Sequence, residues 1–364
     1  MKLFFTILIS GLLSVMALNY YVDPANRWWR GSSDNIEKWP HTAEEGLIAP
    51  PDFDERKFKR EQIAVVPKPK LVIFGSSRVM VIDAKLFPKE QPLYNIGMGA
   101  ANVYDFVSMW QRLKDTDKIP KHIIIFLDPW VVGEERIHSE AWRTNFDLYK
   151  HFTQSMQYSM GSKWLEDMIE PLHKLGIEAS ALLSWEITKI SLKNVFRHKI
   201  SHDKDNWKIV KLKDVRIDQA VYLADGSVYN PPEADVRLQQ ELLHTKSFRN
   251  TSHYQDLVNW QIHSENYSLF LLLLKDIHEK NVMLDIIVPP FAIGLYKEIS
   301  LDPGLQNFTA PFFKILTQLQ EQELIQRACD AFIAEKFGCH ENEFRDAIHM
   351  LHPCAKKVID RCGF

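Results

Sequence analysis

The chain has no cysteine before Cys329, no internal repeat, no low-complexity tract and no marked excess of either charge. Each absence excludes something. Without a cysteine near the N-terminus there is no lipoprotein anchor. A net charge of −3 gives no basic field for phosphate backbones, so no nucleic-acid partner is expected. The paired C-x-x-C spacing of structural zinc sites is missing, which argues against a rival zinc reading built from Cys339, His340, His352 and Cys354. No metal and no cofactor is expected. What is present is ordinary for a folded protein: 364 residues, 46% hydrophobic and 25% charged, enough for one large domain with insertions or two smaller ones. The ten tryptophans suit a sugar or lipid surface or, more commonly, a core.

The N-terminus carries the longest apolar run. Lys2 precedes Leu3–Leu18, interrupted only by Thr6, Ser10, Gly11 and Ser14. This run is shorter than the about 20 residues a spanning helix needs. It reads as a secretory signal cut after Ala17, as a short membrane anchor if uncut, or as a buried helix. The cysteines agree with export to the periplasm or beyond. Cys329, Cys339, Cys354 and Cys362 are an even, clustered set that reads as two disulfides, with three pairings open.

Residues 19–69 read as a linker and N-terminal extension, rich in proline and without periodicity. From residue 70 the pattern changes. Leu71–Phe74, Leu93–Ile96, His122–Leu127 and Leu284–Val288 are short apolar runs closed by Gly, Pro or Asp-Pro, as expected of strands buried on both faces. Helical stripes lie over 103–115 and 269–280. Strand–helix alternation predicts an α/β fold with a mostly parallel sheet. Between the third and fourth runs, residues 131–268 read as a largely helical insertion or lid. An amphipathic helix is expected over 178–196. Residues 186–216 hold nine Lys or Arg against four acids, a face for an anionic lipid or polymer or simply for solvent.

Ligands of an open parallel sheet bind beyond the strands' carboxyl ends. After the first run comes Gly75-Ser76-Ser77-Arg78, which places Ser77 near a helix start, where N–H groups favour an oxyanion. After the second comes Gly97-Met98-Gly99-Ala100-Ala101-Asn102, whose small residues let an N–H of Gly99 or Ala100 approach a substrate. Near the C-terminus, Asp346 stands three residues before His349, a spacing that lets the carboxylate fix the imidazole tautomer while the other nitrogen meets a hydroxyl. His352 is a less natural alternative. Arg78 suits a substrate phosphate or carboxylate, or a structural salt bridge. Asp128 and Trp130 sit where a cap of the following segment or a substrate contact is natural, and Asn102 is a further candidate donor.

In this order of motifs the chain resembles the SGNH (GDSL-like) hydrolase superfamily. It is similar to the membrane-tethered or periplasmic branch that includes the D-alanine transfer protein of teichoic-acid modification and the alginate O-acetylation proteins. The resemblance covers roughly residues 70–130 and 284–352. It implies a flavodoxin-like three-layer α/β/α sandwich, a Ser77–His349–Asp346 triad, and an oxyanion hole from the Ser77 amide and the Gly99–Ala100 turn. The function it implies is an exported serine esterase or O-acyltransferase. An acylated envelope glycan or lipid would be the substrate, and an envelope acyl-transfer protein a partner. Two departures stand out. Ser76 replaces the family's Asp before the nucleophile. Asp128-Pro129-Trp130 replaces the Gly-x-Asn-Asp block, so the usual oxyanion Asn is missing. These leave room for a specialised acyltransferase or for an inactive module that binds a glycan or protein.

Overall fold

The computed structural model describes residues 2–24, 28, 39–40, 42, 44–50, 53–87, 92–133, 140–158, 163–196, 207–215, 221–229 and 252–364. It is a mixed α/β protein built on a parallel five-stranded sheet. Strands β2 (Leu71–Phe74), β3 (Leu93–Asn95), β4 (His122–Phe126), β8 (Met283–Val288) and β9 (Arg327–Asp330) lie in the order β3-β2-β4-β8-β9. Counting only these five, the order is 2-1-3-4-5. The chain therefore reverses direction across the sheet between β2 and β4, and that switch point opens a crevice at the strands' carboxyl ends. Register is continuous: Leu71 pairs with Leu93 on one side and His122 on the other, and Ile123 with Leu284.

Alternate side chains of the same strands enter two separate cores. Val72, Phe74, Ile123, Ile125, Leu284 and Ile286 meet α3 (Val103–Asp115) and the helices Ser264–Glu279 and Gly304–Glu321. Leu71, Ile73, Ile124, Phe126 and Ile287 meet the turn after β2 and the C-terminal helix His352–Arg361. Burial on both faces is why these runs are apolar without alternation. Strand β9 had no apolar run to announce it. It is an edge strand of three half-buried residues, Arg327-Ala328-Cys329, and the exposed Asp330, held by pairing with β8.

The 19–69 stretch is more ordered than its composition suggests. It contains strand β1 (Glu45–Ile48) and helix α2 (Glu55–Val65), the latter capped by Asp54, which accepts from the Lys57 N–H. Helix α2 packs on α3 and gives Ile63 to the main core, so the body begins before residue 70. Strand β1 is completed by the insertion. It lies antiparallel between β5 (Lys208–Lys211) and β6 (Val221–Tyr222), with β7 (Val228–Tyr229) beyond. Each of these strands is short, and their partners are far away in sequence, so no local pattern reveals them. The turn of this small sheet is anchored to the main one. The Asn95 N–H donates to Asp225 O at 2.7 Å, and fully buried Lys59 donates to Asn95 O and Gly226 O. Burial pulls the Lys59 ammonium down to about 8.

The rest of the described insertion is helical: α4 (Phe146–Ser155), α5 (Lys163–Leu182) and α6 (Trp185–Phe196). The helix expected over 178–196 is broken at Leu183-Ser184. There Ser184 Oγ accepts from the Ile187 N–H and starts α6 anew. At the N-terminus the apolar run and its flank form one helix, α1 (Lys2–Val22), long and apolar enough to cross a bilayer. The two disulfides are Cys329–Cys362 and Cys339–Cys354, which suggest an oxidising compartment. The second removes the thiolates that the zinc reading needed.

Candidate active site

The switch-point crevice gathers three side chains from opposite ends of the chain. Strand β2 is followed by Gly75, where a Cβ would lie 2.7 Å from Val79, so only glycine lets the chain turn back this tightly. Ser76 then caps a single 3-10 turn, Ser77–Val79, by accepting from the Arg78 N–H. This is one short turn rather than the expected α-helix, so Ser77 gains local N–H groups and little macrodipole. Ser77 Oγ lies 2.7 Å from His349 Nε2.

His349 is positioned by its own turn. Asp346 Oδ1 accepts from the N–H groups of Ile348 and His349, at 3.0 and 2.8 Å. The same carboxylate accepts from His349 Nδ1 at 2.6 Å. With the proton on Nδ1, Nε2 is the acceptor for the Ser77 hydroxyl. Burial opposes ionisation of Asp346. The His349 hydrogen bond and charge, with the two backbone N–H groups, outweigh it and hold the carboxyl well below the usual carboxylate range. Arg345 N–H to His349 O, and Ala292 N–H to Ala347 O, close the turn and tie it to the end of β8. His352 points elsewhere, 3.3 Å from Asp83.

The Gly-rich turn after β3 separates the two candidate amides by their partners. The Gly99 N–H donates to Glu55 Oε2 at 2.7 Å and is spent. Glu55 is itself fixed by the Tyr222 hydroxyl, and Arg56 binds Asp105 together with the carbonyls of Gly99 and Ala100. Ala100 is held at φ +49, a left-handed conformation that costs a residue with a side chain about 1 kcal/mol. No acceptor among the described residues takes the N–H of Ala100 or that of Ser77. Of the two amides that the sequence offered, that of Gly99 is occupied by Glu55 and that of Ala100 has no acceptor among the described residues. The glutamate latch comes from the N-terminal extension, which carries no motif to signal it.

Arg78, Asp128 and Asn102 are engaged within the fold. Arg78 is 1% exposed, so it meets no substrate. Its Nη1 donates to Asp128 Oδ1 at 2.6 Å, its Nε to Ile348 O at 2.9 Å and its Nη2 to Pro290 O. Its guanidinium stacks 4.2 Å from the Phe291 ring and 6.0 Å from that of Trp130. Asp128 is equally buried and makes no cap bond. Trp130 is half-buried beside Arg78. Asn102 Oδ1 accepts from Tyr104 and Asp105 N–H groups and caps α3 in a reciprocal box with Asp105. A groove of about 1050 Å³, between α2, α4 and α5, is lined by charged residues such as Arg60, Arg143 and Asp147 and includes neither Ser77 nor His349.

No protein-family profile and no curated protein sequence matches the chain.

Proposed function

We propose that the protein is an exported serine esterase or O-acyltransferase of the SGNH kind, on a flavodoxin-like three-layer sandwich, acting on an acyl ester of a cell-envelope glycan or lipid. The observation that carries this reading is the unbroken relay Ser77 Oγ, His349 Nε2, His349 Nδ1, Asp346, with links of 2.7 and 2.6 Å. The strand order and the place of Ser77 after its first strand support the same reading.

Ser77 Oγ attacks the ester carbonyl while His349 Nε2 takes its proton. The carbonyl π pair becomes an oxyanion received by the N–H groups of Ser77 and Ala100. Asp346 stabilises the imidazolium. The C–O bond to the leaving alcohol then breaks, and His349 returns the proton to that oxygen. An acyl group remains on Ser77. Water or an acceptor hydroxyl attacks it, again losing its proton to His349, and Ser77 is regenerated as the proton passes back to Oγ. Water gives hydrolysis; a glycan hydroxyl gives transfer.

The two disulfides and the apolar α1 support an oxidising compartment outside the cytoplasm as its setting. Fluorophosphonate labelling tests the reading. The purified chain is expected to react at Ser77. Ser77→Ala and His349→Ala should lose labelling and ester turnover, with unchanged thermal unfolding. Full turnover in Ser77→Ala would remove the mechanism. An inactive binding module would leave the wild-type serine unlabelled.

A further inference from the structure

Exposed large hydrophobic side chains of the described body are scattered singly, at Val65, Ile209, Ile262, Met283 and Leu301, with one exception. The α5–α6 hairpin exposes six within 25 residues: Leu172, Leu175, Leu183, Trp185, Leu192 and Phe196. Leu172, Leu175, Trp185 and Phe196 are 67, 65, 68 and 80% exposed, as open as Leu3 and Phe4 of α1 at 73 and 66%. Scattered apolar residues need no explanation; a concentration of this kind marks a partner.

Helix α1 says which partner. It packs against α5 and α6 at one end only. Asn19, the one buried residue of the helix, donates to Leu182 O at 2.7 Å, taking a carbonyl that the end of α5 leaves open, and to Thr188 Oγ1 at 2.8 Å. Just beyond, the Trp28 indole donates to Glu178 at 2.6 Å. The hairpin is therefore fixed to α1 around residue 19. A helix of 21 residues is about 31 Å long, close to the roughly 30 Å of a bilayer's hydrocarbon core. With Lys2 at one boundary, Val22 reaches the other, and Asn19 lies about 4.5 Å inside it. Any bilayer that covers the exposed residues of α1 must bring its surface to the hairpin.

We propose that the α5–α6 hairpin is a lipid-contact surface, seated in the interfacial layer of the bilayer that α1 crosses and holding the body against the membrane. Trp185 at the hairpin turn suits that layer, and exposed Lys193 suits anionic headgroups. The proposal requires α1 to be retained. Cleavage after Ala17 would leave Asn19 as the second residue of a severed helix, with nothing to hold it between Leu182 and Thr188. It is independent of the chemistry at Ser77.

The test uses the full chain in vesicles of mixed zwitterionic and anionic phospholipid. All four native cysteines are in disulfides, so Leu175→Cys, Phe196→Cys and, as a control, Leu301→Cys each accept one thiol-reactive fluorophore. Labels at 175 and 196 are expected to be quenched by nitroxide-bearing lipid and several-fold less by aqueous iodide than the label at 301. Equal iodide quenching at all three positions overturns the proposal. So does protection at 175 and 196 from both quenchers, which would mean a protein covers them. The mass of the chain from membranes is expected to include α1; a mature chain starting at Leu18 overturns it equally.

Discussion

Ser77 and His349 are in hydrogen-bond contact, yet the regions that bring them there are built on different principles. The serine side rests on β2, a strand buried on both faces between two hydrophobic cores. Its position follows from apolar burial and sheet pairing. The histidine side, residues 331–351, is a succession of short turns with little regular structure. It is fixed instead by two nested disulfides, Cys329–Cys362 and Cys339–Cys354, by the Asp346 turn and by one buried guanidinium. Arg78 belongs to the first region and clamps the second through Ile348 O. A hydrogen-bonded pair of this kind keeps its geometry only if both members are rigid. The comparison shows that a segment too short and polar to build its own core can borrow rigidity from crosslinks and from a charge donated by its neighbour.

The largest expected effect falls on both regions together. Removing either the hydroxyl or the imidazole should lower turnover by about 10⁴-fold or more while sparing the fold, because the two act as one unit. A fall in one variant without the other would break the pairing.

Arg78 sharpens the comparison next. Arg78→Met leaves Asp128 buried and uncompensated and should cost roughly 3–5 kcal/mol, read as a denaturant midpoint. Arg78→Met with Asp128→Leu should regain most of that stability, since neither charge remains. Turnover should stay low in the double variant, because the turn bearing His349 has lost its clamp. Recovery of turnover along with stability would show that the arginine serves the core alone.

The crosslinks come third. Cys339–Cys354 closes a loop of sequence separation 15 around both Asp346 and His349. Replacing both cysteines with alanine should cost about 3 kcal/mol. Amide exchange should quicken over 340–350 and remain slow over 71–74. Uniform quickening would mean that the two regions are one cooperative unit.

The acid limb follows from Asp346. Its folded-state pKa is depressed, so the stability it contributes is complete above the unfolded carboxyl value of about 4 and is lost as pH falls from there through the folded value. The stability gap between wild type and Asp346→Asn should therefore be widest near neutrality and close in strong acid. A gap that is flat with pH would contradict the ionised Asp346–His349 contact.

The smallest effect is on the serine side. Ala100→Gly relieves the left-handed strain while keeping the N–H, and should leave turnover unchanged and stability altered by less than about 1 kcal/mol. A large loss of turnover would mean the methyl group itself contacts the substrate.

The parallel strands, α3 and the three residues of the relay were legible in the chain because each depends on local pattern or on the order of motifs. Helix α2 and the latch of Glu55 on Gly99 were not, because a charged helix with few apolar residues shows no stripe, and its partners lie more than 40 residues away. Arg78 was legible as important but not in role: nothing in Ser-Ser-Arg says whether a guanidinium faces a ligand or a buried carboxylate 50 residues on.

The sequence by itself determined the parallel α/β core, since continuous apolar runs closed by glycine and proline have few other ways to bury themselves. It also pointed to disulfide bonding, since an even cluster of cysteines suits an oxidising compartment. Only the tertiary structure decided which cysteines pair, which amide of the glycine-rich turn is free, and which end of α1 is held by the hairpin. Each of these is a contact between segments far apart in the chain, and such contacts are chosen by the closing of the whole fold rather than by any local preference.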